Sequence, residues 1–147
     1  ADVVGLMCLK VFCNGNEKLF GELEQPAMKL GSAFQKVNFL RDLKNDMENL
    51  DRQYFPGVSK HNFDDEKKQE IVSDIENDFR KALEGIRRLP GRSKAPVLVA
   101  YYYYLSLLKK IEHTPASLII TKRIRISNFK KLLLLLKVRI LTGLKMI

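Results

Sequence analysis

Gln35-Lys36-Val37-Asn38-Phe39-Leu40-Arg41-Asp42-Leu43-Lys44-Asn45-Asp46, followed by Arg52-Gln53-Tyr54-Phe55-Pro56, is the stretch on which the reading of this chain turns. Asn38, Asp42 and Asp46 stand at i, i+4 and i+8. On one helix they share an arc of about 80° and cover roughly 12 Å of axis. Gln35 and Gly31 fall inside the same arc. A row of hard oxygen atoms along one helix face suits Mg²⁺, which takes one or two carboxylates together with phosphate oxygens and water. The occupant expected on such a face is a metal-bridged diphosphate. The plainer alternative is a surface helix with solvated carboxylates.

The pattern Q-x-x-N-x-x-R-D-x-x-x-D, with R-x-Y-x-P after a short spacer, resembles the second aspartate-rich motif of the squalene/phytoene synthase family, the head-to-head prenyltransferases. Gln35, Asn38, Arg41, Asp42, Asp46, Arg52, Tyr54 and Pro56 fill its named positions. The resemblance implies an all-α helical bundle of the class I isoprenoid synthase type. It implies Mg²⁺-dependent condensation of two prenyl diphosphates, farnesyl or geranylgeranyl, to a squalene- or phytoene-type product. NADPH enters only if the chain is of the squalene synthase type. By the same resemblance Asn38, Asp42 and Asp46 hold metal, with Asp42 and Asp46 the catalytic carboxylates. Gln35 gives a polar contact in the cavity, Arg52 and Tyr54 serve diphosphate binding or closure, and Gly31 leaves room for the prenyl tail. Tyr104 and Gly5, the latter in a Val-Gly step, are expected beside the cavity.

The remaining sequence fits one domain. A chain of 147 residues can build a single core. It contains no internal repeat, zinc-ligand spacing, secretory signal or run of about 18 uncharged apolar residues. Cys8 and Cys13 read as reduced thiols in a cytoplasmic setting. Outside Asp42–Asp46 the only other D-x-x-x-D is Asp74–Asp78, which has no Asn or Gln in register. Against the length of family members, residues 1–147 read as the C-terminal half of such a domain, with the first aspartate-rich motif in a missing N-terminal half. That half, or a second copy of the chain, is then an expected partner, and the chain by itself is expected to be inactive.

Charge is uneven. Residues 1–88 carry 14 Lys/Arg against 16 Asp/Glu, and residues 89–147 carry 12 against one. The basic half supports an alternative in which the chain is a non-catalytic helical module binding anionic lipid or nucleic acid. No nucleic-acid motif accompanies it, so nucleic acid is not expected. Periodicity gives helices over about 1–13, 22–49, 64–88, 94–112 and 128–145, with Pro26 and Pro96 in first turns and Ser127 or Asn128 as the last N-cap. The last helix combines Leu132–Leu136 with Lys130, Lys131, Lys137 and Arg139. It reads either as a packed terminal helix with a solvated basic face or as a peripheral contact with the inner face of a membrane.

Overall fold

A computed structural model describes residues 2–49 and 63–144; Asp2 and residues 44–49 are described by their backbone alone. Among the described residues every regular element is a helix, and there are no strands. The structure comprises α1 (Asp2–Cys13), α2 (Glu17–Asn49), α3 (Asp65–Arg88), α4 (Lys94–Glu112), α5 (Ala116–Ile119) and α6 (Asn128–Gly143), with a single 3₁₀ turn at Gly91–Ser93.

Helix starts follow local chemistry. Asp64 accepts a hydrogen bond from the Lys67 backbone N–H and so caps α3, and Ser127 caps α6 through the Lys130 N–H. Arg87 and Arg88 close α3 at the negative end of its dipole. The α1–α2 turn places Asn14 and Gly15 at positive φ, 44° and 84°, which these two residue types tolerate best. Asn16 then accepts from the Leu19 N–H at 3.0 Å, starting α2 at Glu17 instead of the expected residue 22. Asn14-Gly15-Asn16 is thus both a helix stop and the next helix start. Pro26 consequently lies inside α2, not in its first turn.

The cost of that interior proline is set beside a packing role. Its ring occupies the space over Gly85 of α3, where an added Cβ would stand 2.3 Å from the Pro26 Cβ. Gly85→Ala should therefore lower stability by about 1–3 kcal/mol, the usual cost of overpacking a tight contact. Thermal melts followed by circular dichroism check this; an unchanged Tm would remove the proposed role of the Pro26–Gly85 contact.

Helix α2 is the centre of the bundle, flanked by α1 and α3, and α4 joins α3 to α6. Leu23, Val37 and Leu40 of α2 are buried in one cluster with Val72, Ile75 and Phe79 of α3 and Leu98, Leu107 and Ile111 of α4. Each such side chain contributes about 1.5–3 kcal/mol on leaving water. A polar clamp sets the α2–α3 register. Asp78 is 1% exposed and faces Lys29 at 2.9 Å, Lys36 at 2.7 Å and the Ser32 hydroxyl at 3.2 Å. Lys36 also pairs with Asp74. The second D-x-x-x-D is thus occupied by lysines.

Two further expectations change. The single-turn helix α5 was not anticipated, because four residues carry too little periodicity to read. Helix α6 ends at Gly143 instead of residue 145, and its outward surface carries apolar side chains as well as basic ones.

Candidate active site

Helices α1, α2, α3 and α4 line a half-open cavity of about 600 Å³, within the size range of small-molecule sites. Its walls are almost wholly apolar. Apart from Cys8, the only polar side chains lining it among the described residues are Gln35 and Asn38, neighbours on one face of α2. Gly5 and Gly31 also line it. Gly5 is required by close helix approach: a Cβ there would stand 2.9 Å from the Ala27 carbonyl oxygen on α2. The Val-Gly step therefore lets α1 close the cavity against α2.

At the polar end, the Asn38 Nδ2 donates to the Tyr104 hydroxyl at 3.3 Å. The Tyr104 ring stacks on Phe34, centroids 4.1 Å apart and planes 20° apart. Tyr104 therefore stands beside the cavity as expected, packed behind the lining residues Phe34 and Asn38. The Asn38 Oδ1 is buried with no hydrogen-bond partner among the described residues. Such an orphan costs about 1–3 kcal/mol and is rare in native structures, so this oxygen has capacity to accept from an external group.

One turn further along α2, Asp42 leaves the cavity wall. Its side chain, 23% exposed, accepts from Arg41 through Nε at 3.1 Å and through a second guanidinium nitrogen, and pairs with the Arg123 Nε at 2.7 Å. Burial pushes the carboxyl pKa up, but the hydrogen bonds and charge of Arg41, joined by Arg123, outweigh burial and hold it below the usual carboxylate range. Asp42 is therefore ionised wherever the protein is folded near neutral pH.

Asp46 continues the same face in the α2 backbone; its side chain, like all of Arg52 and Tyr54, lies outside the described residues. Among those described, no three His, Cys, Asp or Glu side chains come together as a metal cluster. The donor set that can be examined is Asn38 and Asp42. An unmatched amide oxygen one helical turn from an ionised carboxylate fits a hard divalent cation such as Mg²⁺.

The family model for squalene/phytoene synthase matches residues 1–130. The chain belongs to the squalene/phytoene synthase family. Comparison with curated proteins returned no match. The matched region contains the whole cavity, the Asn38–Asp42 face and Arg123. Squalene/phytoene synthases act on prenyl diphosphates as a class, and an apolar cavity whose polar end is formed by the Gln35 and Asn38 amides is compatible with that class.

Arg123 is the functional candidate that the sequence reading missed. It lies between α5 and α6 in a stretch where Ile124 and Ile126 are buried and Arg123 and Arg125 exposed. Lys110 ties the stretch down by donating to the Arg125 carbonyl at 2.7 Å. Alternation in Arg123-Ile124-Arg125-Ile126 was the available signal. It placed the arginines on one side, but nothing in the sequence said that this side meets α2.

Proposed function

We propose that this chain binds a prenyl diphosphate, with the prenyl chain in the cavity among α1–α4 and the diphosphate at the Asn38–Asp42 end, as part of a head-to-head prenyltransferase. The observation that carries the reading is the polarity of the cavity, apolar apart from Cys8 and the Gln35 and Asn38 amides, with Asp42 one turn beyond Asn38 on α2. Asn38 and Asp42, with Asp46 on the next turn, would hold Mg²⁺. When bound, the metal neutralises the diphosphate and makes it a better leaving group.

The residues divide the remaining work. Tyr104 and Phe34 hold the Asn38 amide in place, so its oxygen needs little reorganisation on binding. Arg41 and Arg123 place two guanidiniums at the carboxylate, where their forked donors suit phosphate oxygens as well as carboxylate. Gly5 and Gly31 keep the cavity open to a long alkyl chain. The apolar walls exclude water from the allylic carbon, so an electron-deficient centre there meets a double bond before it meets solvent.

Isothermal titration of the 147-residue chain with farnesyl and geranylgeranyl thiodiphosphates, with and without Mg²⁺, tests the proposal. Binding should require Mg²⁺, and inorganic diphosphate should bind at least about tenfold more weakly, since it buries no alkyl surface. Binding indifferent to EDTA, or equal affinity for inorganic diphosphate, would refute it. Asn38→Leu removes the orphan oxygen while keeping the side-chain volume. It should leave Tm unchanged or raised and cost Mg²⁺-dependent affinity, a separation that purely structural roles for Asn38 do not give.

A further inference from the structure

The cavity runs lengthwise along α2. Asn38 lines its polar end and Leu23 its other end, a separation of about 22 Å along the helix axis. Two close helix approaches narrow it on the way. Gly5 brings α1 against the Ala27 carbonyl, and Gly85 brings α3 against the Pro26 ring. All four residues line the cavity, and Pro26 and Ala27 stand about 17 Å from Asn38 along the axis. Past the narrowing lies an end chamber.

Topology places the walls of that chamber. A short turn reverses the chain between α1 and α2, so Leu9 lies one turn beyond Gly5 on the side away from Asn38. Arg88 pairs with Glu22, which sets the last turn of α3 beside the first turns of α2. Leu89 therefore closes the chamber with Leu9 and Leu23, and Ile86, next to Gly85, stands at its entrance. All four line the cavity and are buried. Val4 and Gln35, on the Asn38 side of the narrowing, are exposed. The end chamber is thus the dry part of a half-open cavity.

The spacing acts on prenyl length. Each isoprene unit adds four main-chain carbons, about 5 Å when extended at roughly 1.5 Å per C–C bond. Measured from Asn38, three units of about 15 Å stop at the narrowing, and a fourth passes between Gly5 and Gly85 into the chamber. There it gains apolar contacts on every side, which a shorter chain forgoes.

We propose that the end chamber selects prenyl chains of four isoprene units over three, with Ile86 and Leu9 as specificity-determining residues. The proposal rests on the reading of this cavity as a prenyl site and makes geranylgeranyl the substrate group.

Displacement of anilinonaphthalene sulfonate from the 147-residue chain by geranylgeraniol and by farnesol reads chain length without metal or diphosphate. Geranylgeraniol should bind at least about tenfold more tightly, since a single methylene in a fitted apolar pocket already discriminates to that degree. Ile86→Phe should block the entrance and remove that advantage, while changing farnesol affinity by less than about threefold. Leu9→Phe fills the chamber from the opposite wall and should act alike, so the test stands where one variant fails to fold. Equal affinity for the two alcohols in the wild type overturns the proposal, as does an advantage that survives in the folded variants. The same pair as thiodiphosphates, with Mg²⁺, separates this inference from the diphosphate site. Alcohols that show the ratio beside thiodiphosphates that gain nothing from Mg²⁺ support the chamber and refute the diphosphate site. Thiodiphosphates that bind with Mg²⁺ but without the ratio overturn the chamber alone.

Discussion

Asp42→Ala should abolish Mg²⁺-dependent binding of a prenyl thiodiphosphate, lowering affinity by at least on the order of 100-fold. Removing an outer partner of a metal ligand costs 10–100-fold, and a carboxylate that is itself a ligand should cost no less. The surroundings of Asp42 sharpen the expectation. The carboxylate is the group that Arg41 and Arg123 share, so its removal leaves two guanidiniums adjacent and unneutralised. Weak, metal-independent attraction of inorganic diphosphate should therefore persist or increase in the variant. Titration with and without Mg²⁺ separates the two effects. Equal loss in both conditions would mean that Asp42 only maintains the fold, and no loss in either would remove it from the site. Asp42→Asn keeps the shape while surrendering the charge. It should retain Tm more closely than Asp42→Ala and lose metal-dependent binding nearly as fully.

The face that carries this prediction was legible because its information is local. Asn38, Asp42 and Asp46 share a face by helix periodicity alone, and Gln35 and Gly31 join it by the same arithmetic. Helix ends marked by short side chains were equally plain, as at Asp64 and Ser127. Contacts made across the fold were not. Arg123 lies 81 positions from Asp42 in the chain, and a stretch without regular secondary structure over residues 123–127 does not specify which helix it crosses. Tyr104 was expected beside the cavity, but not its partners: the ring finds Phe34 and the hydroxyl finds Asn38. Pro26 was expected at a helix start, since an interior proline is normally unfavourable. The compensating Gly85 sits on another helix. In each case sequence showed the chemical capacity of the residue, and tertiary packing chose its partner. The uneven charge of the chain was readable at once, yet only the structure separates the exposed Lys and Arg of α6 from Arg123, which turns to Asp42.

Replacing Asp78 should produce the largest loss of stability among single polar substitutions. The carboxylate is 1% exposed, and taking it out of water is unfavourable. Burial pushes its pKa up, but hydrogen bonds and charge from Lys36 and Lys29 outweigh that and bring the pKa below the ordinary value. A carboxyl with a depressed folded pKa stabilises the protein above its unfolded pKa, near 3.9, and the stabilisation is lost as pH falls through the folded value. Breaking a buried pair by removing one member costs about 3–5 kcal/mol. Here Lys29 and Lys36 are partly exposed and can rehydrate, so Asp78→Ala should cost nearer 2 kcal/mol, or roughly 4–8 °C in Tm for a chain of this size. Asp78→Asn retains an acceptor for Ser32 and Lys36 and loses only the charge, so its deficit should be smaller at pH 7. That deficit should shrink as pH falls below the unfolded value, because there the unfolded wild-type chain takes up a proton that the folded carboxyl still resists. Circular dichroism melts of both across this range measure it directly. A deficit of constant size from pH 7 to pH 3 would show that Asp78 acts through shape and hydrogen bonding, with its charge contributing nothing to the α2–α3 contact.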